Sequence, residues 1–275
     1  MSNTPKESKR STKEKAAAAR AAAEAEQRRR DTRVRLIGGA AILVVVALII
    51  GLGIWGSKQN GTAAGSTDVV AGATVPTGVN GADGADGANA WGVPYNHVSG
   101  KPTLAIWEDF QCPSCAQFET SFGASVLKLA DDGKVNLVWR PTTFLDTRFA
   151  ATSPNPNSSH RAAMAWGCAI DAGKTKQFHS TVFANQPATE GDGYTDAQLA
   201  DFATKAGITG DALTTWKKCY ADKKYDQWVT NSYTVFGTEG VTGTPTAYLN
   251  GTEVKAATLQ DMAALEKLIS STPAS

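Results

Sequence analysis

Asp109-Phe110-Gln111-Cys112-Pro113-Ser114-Cys115 stands where a strand hands over to a helix: a strand-like run, 103–107, comes before it and a helix-like run, 116–129, comes after. Proline is favoured at the first helical position, where its missing N–H would have had no partner. Pro113 is therefore expected there, with Cys112 as the N-cap. An N-cap side chain accepts hydrogen bonds from backbone N–H groups one turn in, here those of Ser114 and Cys115. The helix macrodipole also favours negative charge at that point. Cys112 is thus expected to ionise more readily than a free thiol, and the thiolate is the form that attacks disulfides. Cys115, three residues on, shares the helical face and can resolve a mixed disulfide. The pair reads as a redox dithiol.

Two other readings of Cys-x-x-Cys are weaker. Half a zinc site needs two more ligands at short spacing, and Cys168, Cys219, His97, His160 and His179 are scattered without such a pattern. A purely structural bridge at a helix tip closes almost no chain and removes little unfolded-state entropy. No metal and no cofactor is expected.

The 275 residues suit one domain with appendages. Residues 1–35 hold 11 Lys/Arg against 5 Asp/Glu, while the rest holds 16 against 21. That acidic balance argues against nucleic acid as a partner of the folded part. Residues Leu36 to Trp55 are uncharged and mostly apolar, long enough as a helix to cross roughly 30 Å of bilayer core. Arg28, Arg29, Arg30, Arg33 and Arg35 crowd the N-terminal flank, so the positive-inside rule puts the N-terminus in the cytoplasm and the bulk of the chain outside. A cleaved signal peptide ending near Thr62-Ala63-Ala64 is the alternative, but its apolar core would be about 7–15 residues. Four cysteines in an extracytoplasmic segment fit an oxidising compartment.

Four divisions are expected: a basic cytoplasmic tail at 1–35, a single transmembrane helix at 36–55, a Gly/Ala/Thr/Asp-rich flexible linker at 56–90, and a folded domain at 91–275. Asp83 and Asp86 could touch calcium, but the repeat around them reads as spacer. Within the domain, a strand at 103–109, a helix at 113–131 and a strand at 135–140 form a strand-helix-strand unit. Residues 141–157 read as irregular. Helices follow at 159–172, 175–185, 195–205 (opened by a Thr195–Gln198 capping box), 211–220 and 225–238. Two strands, 246–250 and 253–256, and a last helix capped by Thr258 and Asp261 and ending near Ile269 complete the order.

That order, with Cys-Pro-Ser-Cys after its first strand, resembles the thioredoxin fold, and the helical block at about 158–238 resembles the insertion of DsbA-like thiol-disulfide oxidoreductases of the membrane-anchored actinobacterial type. Two motifs carry the likeness: Trp107 to Cys115, and Gly240-Val241-Thr242-Gly243-Thr244-Pro245-Thr246, which matches the loop where this family places a cis-proline beside its active site. Phe178-His179 and Val182 to Gln186 also look like the family's first inserted helices. The fold class implied is α/β, thioredoxin-like with an inserted α-helical domain. The resemblance implies catalytic roles for Cys112, Cys115, Thr244 and Pro245. A cis X–Pro bond is usually a deliberate feature, and here it would turn the Thr244 backbone towards the dithiol, offering an edge to an extended substrate. The sequence departs from well-known oxidases in having Pro-Ser between its cysteines where they have Pro-His. Many relatives also carry a buried acid six residues before the first cysteine; Ile106 stands there, and the acids are Glu108 and Asp109.

Cys168 and Cys219 fall in the insert and read as a structural disulfide, worth on the order of 4 kcal/mol in the chain-entropy model, or as two buried free thiols. The leading functional reading is an oxidase that gives the Cys112–Cys115 disulfide to exported, reduced proteins. The family implies regeneration by a membrane partner of the DsbB-like or vitamin K epoxide reductase-like kind. A reductase or isomerase of the same fold, or a membrane-tethered binding module, are the alternatives.

Overall fold

Six residues, Thr103–Glu108, form a central strand that is covered on both faces, as an almost uninterrupted apolar run requires. The computed structural model describes residues 69–81 and 89–274. The expected tail, membrane span and Asp83/Asp86 lie outside the described residues, among which no helix is long and apolar enough to cross a membrane.

In chain order the strands are β1 (Val93–Pro94), β2 (Thr103–Glu108), β3 (Asn136–Pro141), β4 (Thr246–Leu249) and β5 (Thr252–Val254). They form one sheet in the order β1-β3-β2-β4-β5. β3 runs parallel to β2, in register from Thr103↔Asn136 to Glu108↔Pro141. Its crossover is a continuous helical stretch: α1 (Pro113–Phe118), a π turn (Glu119–Gly123) and α2 (Ala124–Asp131). β4 lies antiparallel on the other side of β2, with Trp107 opposite Thr246. That register sets the loop after β2 and the loop before β4 side by side at one end of the sheet. β1 pairs with β3 through only two residues, too few for alternation to reveal.

α3 (Phe144–Arg148) occupies part of the stretch expected to be irregular. A helix this short lacks stability of its own; it is held because the Leu145 N–H donates to the buried Asp109 carboxylate, 3.1 Å away. The insert follows as α4 (Ser158–Asp171), α5 (Thr175–Ala184), α6 (Asp196–Lys205), α7 (Gly210–Ala221) and α8 (Asp226–Thr238). The Thr195–Gln198 capping box is formed. Trp166, Trp216 and Trp228 are almost wholly buried there. A four-residue α9 (Ala256–Leu259) absorbs the expected end of the last strand, and Thr258 lies within it, so Asp261 alone caps α10 (Met262–Ser271).

One expected boundary moves. Residues 69–81, placed in the flexible linker by their composition, are packed on the insert. The Asn231 amide of α8 accepts from the Val70 N–H (3.1 Å) and donates to its C=O (2.9 Å), as a neighbouring strand would. Thr77 donates to Asp171 through both its N–H and its hydroxyl, and Pro76 and Val79 are buried. The segment's few apolar residues follow no period, so nothing in the sequence marked it as part of the fold.

Candidate active site

Cys112 is the N-cap of α1 and Pro113 its first residue. Its backbone is fixed from both directions: the N–H donates to Asp109 O (2.9 Å), and the C=O accepts from the Ala116 N–H (3.1 Å). The expected capping bonds to the sulfur do not form. The thiol instead donates to the Thr244 carbonyl oxygen, 3.4 Å away. Thr244–Pro245 is a cis peptide, and the β2–β4 register brings Thr244, 132 positions on, beside Cys112.

The two sulfurs differ sharply. The Cys112 thiol is brought down to about 6, first by a hydrogen bond from the Cys115 thiol, against the opposing effect of burial. The Thr244 side chain and the N–H groups of Cys115 and Ser114 also favour the anion, the N–H groups through their dipoles rather than a capping bond. The Thr244 hydroxyl is buried without a hydrogen-bond partner. Cys115 is fully buried, and burial, the Cys112 thiolate and Glu108 together hold its thiol well above the usual cysteine range. Cys112 is thus the sulfur that carries charge, and Cys115 the one that keeps its proton. Both are free thiols here.

The insert grips the loop between β2 and α1. Gln186, just after α5, donates its amide to the carbonyls of Phe110 (2.8 Å) and Cys112 (3.0 Å). The Tyr194 hydroxyl also donates to Phe110 O (2.6 Å). Asp109 accepts from the Gln111 N–H, the Leu145 N–H and the Ser159 hydroxyl. Asp146 of α3 accepts from the Ser159 and His160 N–H groups at the start of α4 and from the Gln111 amide. Burial raises both carboxyls above the ordinary range, Asp109 the further. None of Gln186, Tyr194, Ser159 or Asp146 stood out in the sequence as a group that acts on the dithiol loop. Polar residues between 35 and 84 positions away give no local signal of contact.

Cys168 and Cys219 are elsewhere, on α4 and α7, joined by a disulfide with Cα atoms 5.9 Å apart. That spacing is within the ordinary range for such bonds.

A family model described as thioredoxin matches residues 96–270. The chain belongs to the thioredoxin family. Among solved structures of this family, it is 32% identical to the reduced disulfide bond oxidoreductase DsbG of Mycobacterium tuberculosis, over 62% of this chain and 79% of that one, with a TM-score of 0.51. It is 30% identical to oxidised DsbA of Mycobacterium tuberculosis, over 66% of this chain and 94% of that one, with a TM-score of 0.54. MdbA of Actinomyces oris, a thiol-disulfide oxidoreductase, shares the fold at 23% identity, over 76% of this chain and all of that one, with a TM-score of 0.56. No curated protein matches the chain. The dithiol loop sits at the end of the central strand β2, and Thr244 of the loop before β4 reaches it.

Proposed function

We propose that this chain is an extracytoplasmic oxidase that introduces disulfides into exported proteins by handing on a Cys112–Cys115 disulfide. The chain is a thiol-disulfide oxidoreductase, and its direction depends on which redox form the surroundings of the dithiol favour. The observation that carries the reading is the depressed Cys112 thiol beside a Cys115 held protonated. A stabilised thiolate stabilises the reduced form, which makes the disulfide a stronger oxidant and Cys112 a better leaving group.

In that reading a substrate thiolate attacks Sγ of Cys112, and Cys115 leaves and takes up a proton. A second substrate thiolate then attacks the substrate sulfur of the mixed disulfide, and Cys112 departs as the thiolate. The Thr244 carbonyl, 3.4 Å from Sγ, offers a main-chain acceptor to an extended substrate. Thr244 and Pro245 are assigned to substrate positioning, and the Cys168–Cys219 disulfide to bracing the insert. The reduced enzyme is reoxidised by a membrane partner of the DsbB-like or vitamin K epoxide reductase-like kind. The apolar run 36–55 with its arginine-rich flank supports a single-pass anchor with a cytoplasmic N-terminus.

The reduction potential of the Cys112–Cys115 pair tests the direction. A value near the −120 mV of DsbA supports the oxidase, and one near the −270 mV of thioredoxin would replace it with a reductase.

A further inference from the structure

Glu108, Glu119 and His179 come from three separate elements and converge inside the protein. Glu108 ends β2, Glu119 opens the π turn of the crossover helix, and His179 lies on α5. Their side chains are 4%, 9% and 2% exposed. Glu108 Oε2 is 2.9 Å from Nε2 of His179, and Glu119 Oε2 is 3.9 Å from Nδ1 of the same ring. One potential ligand atom from each side chain lies within 4.8 Å of the other two.

The surroundings hold this arrangement in place. Gly123, at the end of the π turn, leaves room for Glu119: a Cβ there would meet its Oε2 at 2.5 Å. Single π turns within α-helices are frequent at functional sites. The His179 ring is wedged among Trp139, Phe183 and Trp166, with ring centroids 4.7, 4.9 and 5.3 Å away.

Contacts among the three side chains do not satisfy them. Glu108 Oε1 and His179 Nδ1 are buried without a hydrogen-bond partner among the described residues, and buried polar atoms in a native fold are seldom left so. Among the described residues no Lys or Arg pairs with either carboxylate; His179 alone does. Arg140 borders Glu108 but is committed to Glu239, at 2.6 and 2.8 Å, and stacks over Trp107. Two carboxylates in so dry a place lack a neutralising charge, and burial pushes both up to about 8. A cavity of about 10 Å³ adjoins Glu108 and His179, lined by Phe110, Trp139, Trp166 and Phe183. That is room for one water molecule.

We propose that Glu108, Glu119 and His179 are the three protein ligands of one zinc ion, with a water in the small cavity as the fourth. The donor set and the space select the metal. Calcium takes six to eight oxygen ligands, and magnesium keeps several of its waters; neither fits beside a cavity for one. Zinc accepts four ligands from imidazole, carboxylate and water, and two carboxylates cancel its charge. Bonds of about 2.0–2.2 Å set tetrahedral ligand atoms roughly 3.4 Å apart, so the two glutamates and the ring adjust by about an ångström or less around the ion. The ion takes no part in the exchange steps. It ties β2, the dithiol helix and the insert together, and because it binds only the folded chain it stabilises the fold by mass action.

The test uses the full chain with the Cys112–Cys115 pair oxidised, so that no thiolate competes for zinc. The chain is unfolded in urea with its disulfides intact and refolded with excess Zn2+, so that burial does not bar entry, then dialysed against zinc-free buffer. One zinc per chain should remain, and its X-ray absorption spectrum should show nitrogen and oxygen ligands including one imidazole. Glu119→Gln and His179→Gln, titrated against a zinc-binding dye, should each weaken binding by more than about 100-fold, beyond the cost of losing a group that only supports a ligand. His97→Ala and His160→Ala should leave it unchanged. A wild type that keeps no zinc would overturn the site, whether or not the variants fold. So would sulfur in the spectrum, or equal zinc affinity in wild type, Glu119→Gln and His179→Gln, which marks a surface ion. None of these results bears on the direction of disulfide exchange, which the reduction potential decides separately.

Discussion

Cys168 and Cys219 lie 51 positions apart on two helices of the insert and are bonded, whereas Cys112 and Cys115 lie within one helical turn and are free. Burial does not explain which pair is bonded: Cys112, Cys115 and Cys168 are buried, and Cys219, in the bonded pair, is only partly so. What separates them is topology and charge. The insert pair closes a long loop, so its bond removes much unfolded-state entropy. The other pair closes almost none, and its surroundings are arranged around a sulfur anion. The thiol of Cys115, the Thr244 side chain and two N–H groups all favour the Cys112 thiolate. One pair holds the fold together, and the other is held by it.

Four experiments would break or sharpen that contrast. The largest effect is expected from Cys112→Ser, which removes the attacked sulfur; oxidase activity in a refolding assay should fall by at least about 10³-fold. Retained activity would mean that the insert pair exchanges electrons after all. Replacing Cys168 and Cys219 together by Ala should lower stability by about 4 kcal/mol, read from urea unfolding. Dithiol exchange should continue wherever the variant is folded, and its loss would erase the distinction between the pairs.

The reactivity of the two dithiol sulfurs should differ with pH. In the reduced protein, alkylation of Cys112 should rise through about pH 6 and level off near neutrality, because its thiolate is already formed there. Cys115 should remain unlabelled over that range, since its thiol is held well above the ordinary value. Equal labelling of both at pH 7, read by mass spectrometry, would reverse the assignment of nucleophile. The smallest effect is expected from Gln186→Leu, which removes two hydrogen bonds from the dithiol loop. A loss of about 1–3 kcal/mol in unfolding free energy is expected, with Cys168–Cys219 still bonded by thiol counting. A variant as stable as the wild type would show that the insert does not hold the loop.

The legible parts of this fold were those with a local signature. The proline after Cys112 marks a helix start, the continuous apolar run 103–107 marks a buried strand, and Thr195–Gln198 marks a cap; each appears as a helix or strand within a residue or two. The short elements were not legible. Five-residue α3 and two-residue β1 carry no period, and each exists because a partner holds it: Asp109 for α3, and β3 for β1. The docking of 69–81 was invisible for a related reason, since the Asn231 amide that pairs with Val70 is 161 positions away.

The sequence by itself determined the chemistry available and the order of elements. A Cys-Pro-Ser-Cys at a strand-to-helix junction and a Thr-Pro before a late strand are statements about neighbouring residues, and local backbone preferences are enough to read them. The tertiary structure decided which of these groups meet. The antiparallel pairing of β2 with β4 puts Thr244 beside Cys112. The packing of the insert against the sheet brings Gln186 to the dithiol loop and His179 to Glu108, 71 positions apart. A thiol's proton affinity depends on charges and dipoles within a few ångströms and on the exclusion of water. Those distances exist only after the chain has folded.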